Sequence, residues 1–166
     1  MRVRDIMSTN VKTVQPGSRV REVALAMCLH RISGMPVIDE QRHIVGIVSE
    51  KDILLAVYPK VDDFMQSPAP PSLEDMESEY RDVLHLQVAD VMKRKVFTVG
   101  PDEPILRAAS AMFVHRIRRI PVANPEHELL GILSLGDVHK AVFREMFERE
   151  FAHVAQLQDQ RSSRRA

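Results

Sequence analysis

The stretch that decides the fold is Gly46–Asp52, "GIVSEKD", which recurs 85 residues later at Gly131–Asp137 as "GILSLGD". Each copy is an apolar run followed by Ser, two variable residues and Asp. Ser-x-x-Asp is a helix-capping signature, because the serine oxygen accepts an N–H of the first turn and the carboxylate favours the positive helix end. The same helix end also favours an anionic ligand. The motif alone therefore leaves two roles open, a helix cap and a ligand site.

Working outward from these stretches, the offset of 85 aligns residues 5–57 with 90–142 without a gap. Of the 53 aligned pairs, 20 are identical, where chance would give only a few. The matched segments include "AMCLHRI" with "AMFVHRI" and Pro36-Val37 with Pro121-Val122. A long-period repeat of this kind predicts a duplicated structural unit of about 55 residues, present as a pseudo-symmetric pair.

Each unit has the pattern of a β-α-β-β-α fold. The runs "VKTV" (11–14) and "VFTV" (96–99) predict first strands, and "MPVID" with "HIVGIV", or "IPVAN" with "ELLGIL", predict the second and third. The first helix is predicted from Arg19 to about Ile32 with Ser18 as N-cap, and its counterpart from Pro104 to about Ile117. The apolar face expected for the first helix is Val20, Val23, Ala24, Met27 and Leu29.

A second helix should follow each Ser-x-x-Asp. One such unit has too little core to be stable alone. We therefore predict an α/β protein in which two pseudo-symmetric units pack through their sheets and share a ligand cleft.

Composition narrows the class of protein. The chain has 23 Lys and Arg against 23 Asp and Glu, which argues against a nucleic-acid-binding surface. Its apolar runs are too short to span a membrane, and its start lacks a signal-peptide pattern, so we expect a soluble cytoplasmic protein. The single cysteine, Cys28, excludes an intrachain disulfide and is predicted to be a small buried apolar residue.

The ordered motifs "DIM…TV…P", "MPVID" and "GIVSEKD", present twice at one spacing, resemble a CBS domain. Two in tandem resemble a Bateman module of the stand-alone bacterial type. The resemblance covers about residues 3–58 and 88–143. We divide the chain into a first unit (1–58), a connector (59–86), a second unit (87–143) and a C-terminal extension with a basic tail (144–166).

The connector and the extension each predict an amphipathic helix. In the connector, "SLED" is a capping signal before Leu73, Met76, Tyr80, Val83 and Leu84, and its acidic surface is either a solvated face or a docking site. The last helix should continue through Phe143, Phe147, Phe151 and Val154. That extension could cover its own module or pack against a second subunit.

The resemblance implies two adenine-nucleotide sites, each drawing residues from both units. Serine and aspartate would hold ribose and phosphate, and the base would lie near the apolar-Pro-Val segments, Pro36-Val37 and Pro121-Val122. The first predicted site combines Ser49, Lys51 and Asp52 with Thr98, Arg118 and Arg119. The second combines Ser134 and Asp137 with Thr13, Ser33 and Gly34.

The two predicted sites differ in charge. Lys51 stands where the second copy has Gly136, and Arg118-Arg119 stand where the first has Ser33-Gly34. Since arginine pairs bidentately with phosphate, we expect the first site to prefer ADP or ATP. The second should prefer AMP or S-adenosylmethionine. The alternative for Arg118-Arg119 is a solvated turn.

These features predict a regulatory, energy-sensing module without catalytic activity, a homodimer whose regulated protein partner is another chain. The main alternative is a ligand-independent interaction module that uses the connector or the C-terminal helix. His30 and His115 occupy matching helix ends and are predicted to be structural, since no further metal-ligand pattern accompanies them. The sequence contains no recognisable catalytic motif.

Overall fold

The computed structural model describes residues 1–57 and 73–163. A short 3-10 helix, Val3–Asp5, opens the chain. The first unit contains α1 (Val20–His30), β1 (Gly34–Ile38), β2 (Ile44–Ser49) and α2 (Glu50–Val57). Next come α3 (Leu73–Leu84) and the single turn α4 (Val88–Val91). The second unit contains α5 (Ile105–Val114), β3 (Arg119–Ala123), β4 (Leu129–Ser134) and α6 (Leu135–Ser163).

Each unit is built on one antiparallel hairpin, and the two hairpins have the same register. In β1–β2, Gly34 lies opposite Ser49; in β3–β4, Arg119 lies opposite Ser134. The hairpin tips also meet, because the Ile44 N–H donates to the His127 carbonyl at 3.0 Å. The expected α/β fold of two pseudo-symmetric units is confirmed.

The predicted first strands at 11–14 and 96–99 are wrong in extent, since each is only a single bridge. Val14 pairs in parallel with Val37, and Val99 with Val122. The reason is proline, which has no N–H to donate to a ladder. On one side of each bridge the next donor position is Pro36 or Pro121, and on the other it is Pro16 or Pro101.

The limits and the outer face of α1 also differ from the prediction. Ser18 is not the N-cap, because its carbonyl accepts the Val88 N–H and Arg19 pairs with Gln87. The helix ends at His30, where Arg31 turns into the left-handed region at φ 52°. Leu29 is 70% exposed and Cys28 is exposed as well, so the predicted burial of both is wrong. They lie on the outer side of α1, whose buried face is Val20, Val23 and Met27.

Helix α5 begins one residue later than predicted and ends earlier. Pro104 is its N-cap residue and not part of its first turn, and the helix ends at Val114. Proline suits this position because no helical hydrogen bond requires its missing N–H.

The two units are joined by an exchange of their opening segments. Val3, Ile6 and Met7 pack in the core of the second unit, whereas Val88 and Met92 pack in that of the first. Main-chain bonds fix the exchange symmetrically, as the Val3 N–H donates to the Glu103 carbonyl and the Val88 N–H to the Ser18 carbonyl, both at 2.9 Å. Each sequence repeat therefore completes the core of the other. The proposed domain boundaries remain a division of the sequence.

Two glycines allow the exchanged segments to approach the hairpins closely. A Cβ on Gly46 would lie 2.6 Å from Sδ of Met92, and one on Gly131 would lie 2.8 Å from Sδ of Met7. On Gly131 it would also lie 2.9 Å from the Ser8 carbonyl oxygen, which is main chain and cannot rotate away. These close approaches favour glycine at the start of the repeated stretch in both copies.

The connector helix and the C-terminal helix are both present. Val83 of α3 is buried in the first unit's core; the proposed cap Ser72 lies outside the described residues. Helix α6 has 29 residues and passes through all four predicted apolar positions. Phe143 and Phe147 are exposed, so they do not cover their own module; the side chains of Phe151 and Val154 fall outside the description. Within the described ranges, no helix has the length and apolarity needed to cross a membrane.

Substituting the close-packed glycines should destabilise the protein in a defined order. We expect Gly131→Ala to lower the free energy of unfolding by about 1–3 kcal/mol, the usual cost of forcing atoms into a packed interior. Gly46→Ala should cost less, because the flexible Met92 side chain can move. Gly17→Ala is the control, since nothing lies within 4 Å of its Cβ position. Urea denaturation measures all three, and equal stability of Gly131→Ala and Gly17→Ala would contradict the packing argument.

Candidate functional site

The first Ser-x-x-Asp motif lies where β2 ends and α2 begins. The Ser49 N–H donates to Oδ2 of Asp52 at 2.9 Å, and the Ser49 hydroxyl donates to the same oxygen. In return, the Asp52 N–H donates to Oγ of Ser49 at 3.4 Å. This reciprocal pattern is a capping box, so the capping role predicted for the motif is present.

The second motif has the same geometry at the junction of β4 and α6. The Ser134 N–H and hydroxyl donate to Oδ2 of Asp137 at 2.9 and 2.6 Å, and the Asp137 N–H donates to Oγ of Ser134 at 3.1 Å. Each junction thus presents a serine hydroxyl and a carboxylate at the positive end of a helix. Such an end attracts anions, and a carboxylate oxygen accepts hydrogen bonds from hydroxyl groups.

The two carboxylates differ in their surroundings. Asp52 is buried, and its second oxygen, Oδ1, lies 2.8 Å from Nζ of Lys93. Asp137 is only half-buried. Among the described residues, no donor or cation is paired with its Oδ1. The junctions are therefore alike in main-chain geometry and unlike in charge.

Lys93 contacts the carboxylate of a predicted site residue, Asp52, and sequence reasoning missed it. It belongs to the second unit's opening segment, which the exchange places beside β2 of the first unit through the Ile47–Lys93 bridge. The equivalent bridge in the other half joins Ser8 to Ile132. The signal was present in the repeat, because an offset of 85 aligns Lys93 with Ser8, but only the exchange reveals which carboxylate the lysine reaches.

A contact between the halves links the residues assigned to the two predicted sites. Nη1 of Arg119 donates to the Ser33 hydroxyl, although Arg119 was assigned to the first site and Ser33 to the second. The hairpin register puts Gly34 opposite Ser49 and Arg119 opposite Ser134. Each of these residues therefore also borders the motif of its own unit, and the predicted sites adjoin near the Arg119–Ser33 contact.

The remaining predicted residues lie in three kinds of environment. Lys51 and Arg118 are exposed at the motif ends of the hairpins, where both side chains are accessible to solvent. Pro36, Val37, Pro121 and Val122 are buried within the sheets. Contact of a base with the two valines, which are fully buried, would require a rearrangement that exposes them.

Thr13 and Thr98 are half-buried. Thr98 lines a surface cavity of about 650 Å³ with Asn124 and His127, at the end of β3 away from Arg119. Within the described ranges, no side-chain hydrogen bond joins either threonine to a Ser-x-x-Asp motif. Their place in the sites remains a prediction.

The matching histidines have separate surroundings. His30 is the last residue of α1, whereas the ring of His115 stacks on that of Phe97 with centroids 3.4 Å apart. In the part of the chain that the structure describes, no cluster of His, Cys, Asp or Glu could hold a metal ion.

Comparison with known proteins identifies the repeated unit. The chain matches the CBS domain family twice, over residues 3–59 and 88–144. It is 31% identical over 154 residues to an uncharacterized protein of Methanocaldococcus jannaschii, covering 86% of this chain and 91% of that protein. It is also 29% identical to the homoserine O-acetyltransferase of Methanococcoides burtonii, but spans only 24% of that enzyme's length.

Two solved structures share the fold at lower identity. The CBS domain pair of protein MJ0100, in complex with 5'-methylthioadenosine and S-adenosylmethionine, superimposes with a TM-score of 0.68 at 23% identity, covering 87% of this chain and 98% of that one. CBSX2 of Arabidopsis thaliana, in complex with AMP, gives 0.69 at 24% identity, with the same coverage. Since the family matches over most of the chain in two copies, the protein belongs to the CBS domain family as a tandem pair.

Proposed function

We propose that the chain is a regulatory module that binds an adenosyl ligand, AMP, ADP, ATP or S-adenosylmethionine, and catalyses no reaction. The observation that carries the proposal is the pair of equivalent strand-to-helix junctions, each with a serine hydroxyl and an aspartate carboxylate. Structural neighbours that share the fold hold AMP in one case and S-adenosylmethionine with 5'-methylthioadenosine in another. Those ligands belong to those proteins and come to this chain as an inference from the site's chemistry.

The chemistry of the junctions suits a ribose that carries phosphate. The vicinal hydroxyls of ribose are donors, and a carboxylate is a strong, acceptor-only group. The first main-chain N–H groups of a helix and its positive end favour phosphate. Oδ1 of Asp137, which has no partner among the described residues, is an acceptor suited to such a diol.

We infer that a ligand bound between the two halves signals by changing how the halves are arranged. A ligand shifts a conformational equilibrium only by its difference in affinity for the two arrangements. A ligand that contacts one unit's motif and the other unit's opening segment would favour the arrangement in which the two are close. We infer that this arrangement alters the affinity for a regulated protein partner, with a homodimer as the assembled form. A pull-down with and without nucleotide would identify proteins whose binding to this chain depends on the ligand.

Ligand-dependent stability tests the binding proposal. At a concentration 100 times its Kd, a ligand that binds one site should add about 2.7 kcal/mol to the free energy of unfolding. The ligands to test are AMP, ADP, ATP and S-adenosylmethionine. Thermal shift detects the stabilisation that each one causes, and calorimetric titration then measures its affinity. Asp137→Ala and Asp52→Ala should each reduce the ligand-induced gain, although each also lowers basal stability by about 1 kcal/mol through loss of the cap.

The control for that experiment is Glu50→Ala, which alters an exposed neighbour of Asp52 and leaves the capping box intact. The comparison uses the ligand-induced gain of each variant over its own ligand-free stability. If no ligand stabilises the wild-type protein, and both aspartate variants behave as Glu50→Ala does, the binding proposal is wrong.

Phosphate preference provides a second prediction. Lys51 and Arg118 are exposed cations at the motif ends of the hairpins, and each added phosphate should interact with them. Lys51→Ala and Arg118→Ala should therefore weaken ATP binding more than AMP binding, by about threefold to tenfold, at the site that contains Asp52. Calorimetric titration measures both affinities, with Arg21→Ala on α1 as an exposed-cation control. Equal losses of affinity for AMP and ATP would show that these residues do not distinguish ligands by their number of phosphates.

A specific observation also favours the second candidate, a ligand-independent interaction module. Phe143, Met146 and Phe147 form an exposed apolar row on α6, 44%, 59% and 52% accessible in the single chain. The rings of Phe143 and Phe147 lie 6.1 Å apart, so the row is continuous along one helix face. Exposed apolar surfaces of this kind are typical of protein–protein contacts.

The apolar row predicts an effect on assembly. Phe147→Glu should shift the protein toward monomer in sedimentation equilibrium if a second copy covers the row, because a charge would then be buried there. Arg144→Glu introduces the same side chain outside the row and serves as the control. Identical sedimentation of wild type and both variants would remove the row from the dimer interface.

A further inference from the structure

Both oxygens of the Asp52 carboxylate have partners within the protein. Its Oδ2 accepts hydrogen bonds from the Ser49 N–H and hydroxyl, and its Oδ1 lies 2.8 Å from Nζ of Lys93. The side chain of Asp52 is only 4% exposed, whereas that of Lys93 is 58% exposed. A ribose diol directed at Asp52 must therefore displace the lysine ammonium or share Oδ1 with it.

Lys93 is held beside this carboxylate by its main chain. Its N–H donates to the Ile47 carbonyl, and its own carbonyl accepts the Ile47 N–H, both at 2.9 Å. The preceding Met92 packs against Gly46, so the segment cannot shift away from β2 without losing that contact. The side chain is the mobile part, because its exposed ammonium can leave Asp52 while the backbone stays in place.

The other half of the molecule has the same backbone arrangement without the ammonium. Ser8 exchanges two main-chain hydrogen bonds of 2.9 Å with Ile132, and Met7 packs against Gly131. A serine cannot pair with a carboxylate as a cation does, and among the described residues no group pairs with Oδ1 of Asp137. At this main-chain position the two halves differ by one residue, Lys93 in one and Ser8 in the other.

We propose that Lys93 is a specificity-determining residue that makes the Asp52 site select phosphate-bearing ligands over uncharged nucleosides; this proposal rests on the proposed function. An uncharged nucleoside that takes Oδ1 leaves the displaced ammonium with water in place of its charged partner. A nucleoside phosphate brings an anion that can pair with it, so the displacement is compensated. The Asp137 site has Ser8 at the position of this lysine, and it accepts charged and uncharged adenosyl compounds with less discrimination.

The proposal separates Lys93 from the other cations near the site. Lys51 and Arg118 would add attraction for phosphate without affecting an uncharged ligand. Lys93 acts differently, because it competes with the ribose itself. Its removal should therefore improve binding of an uncharged nucleoside, which removal of the other two should not.

Exchange of the matched residues tests the role of Lys93. In Lys93→Ser, the affinity of the Asp52 site for adenosine should rise about twofold to fivefold, the range expected for a half-exposed ion pair. The preference of that site for AMP over adenosine should fall by about fivefold. In the reciprocal Ser8→Lys, the Asp137 site should acquire a preference for AMP. Both changes replace exposed residues, and Lys93→Met, which keeps the aliphatic stem, serves if the serine variant is unstable.

The two sites can be followed separately in the intact chain. Methyl NMR of labelled methionine reports on Met92, next to Lys93, and on Met7, next to Ser8. Titration with adenosine and then AMP yields one affinity from each methyl signal. An unchanged ratio of AMP to adenosine affinity at the Met92 signal in Lys93→Ser would overturn the proposal.

The results of this titration distinguish failure of the Lys93 proposal from failure of the proposed binding function. If the wild-type chain binds neither adenosine nor AMP at either methyl, the proposed function fails, and the role of Lys93 fails with it. If both ligands bind and Lys93→Ser leaves the ratio unchanged, only the role of Lys93 fails. A double-mutant cycle of Lys93→Ser with Asp52→Asn, measured without ligand, establishes whether the ion pair forms in solution.

Discussion

The structure depends on the crosswise packing of the two opening segments. Met92 lies on Gly46 and Met7 lies on Gly131, at distances that leave no room for a Cβ. Since Val3 and Val88 are fully buried in the opposite units, neither unit keeps its full core without the other. The two units therefore complete each other's cores, although the sequence reads as two copies joined by a connector.

This packing also determines which residues meet at the Ser-x-x-Asp motifs. The strand that leads into each motif, β2 or β4, is the one that the other unit's opening segment bridges, at Ile47 or Ile132. A ligand at either junction would therefore lie beside residues from both halves. The proposed coupling would need no long pathway, because the exchanged segment is part of the opposite core and also borders the motif.

The repeat predicted the order of elements and the two hairpins, because matched apolar runs and glycines identify them directly. Three predictions were wrong for local reasons that hydrophobic periodicity and capping motifs do not take into account. Prolines on both sides of Val14 and Val99 limit the first strands to one bridge each. Ser18 looks like an N-cap, but its carbonyl pairs with Val88 of the exchanged segment. Leu29 and Cys28 match an apolar pattern and yet face solvent, since an apolar residue need not be buried. Lys93 could not be assigned to Asp52, because the two residues are 41 positions apart in different repeats and only the exchange brings them together.

For the aspartate of Ser-x-x-Asp, the capping role and the proposed ligand role are compatible, because they use different oxygens of the carboxylate. In both junctions the cap is made by Oδ2 of the aspartate and Oγ of the serine, which leaves Oδ1 for a second partner. In one junction that partner is Lys93, and in the other it is absent among the described residues. A duplicated motif can thus keep one structural role in both copies while a residue from the opposite half, Lys93 in place of Ser8, adds to the differences between the two junctions. The symmetric main chain and the asymmetric charges have one structural cause. The exchange of opening segments fixes the backbone in both halves, and in one half it also places Lys93 beside Asp52.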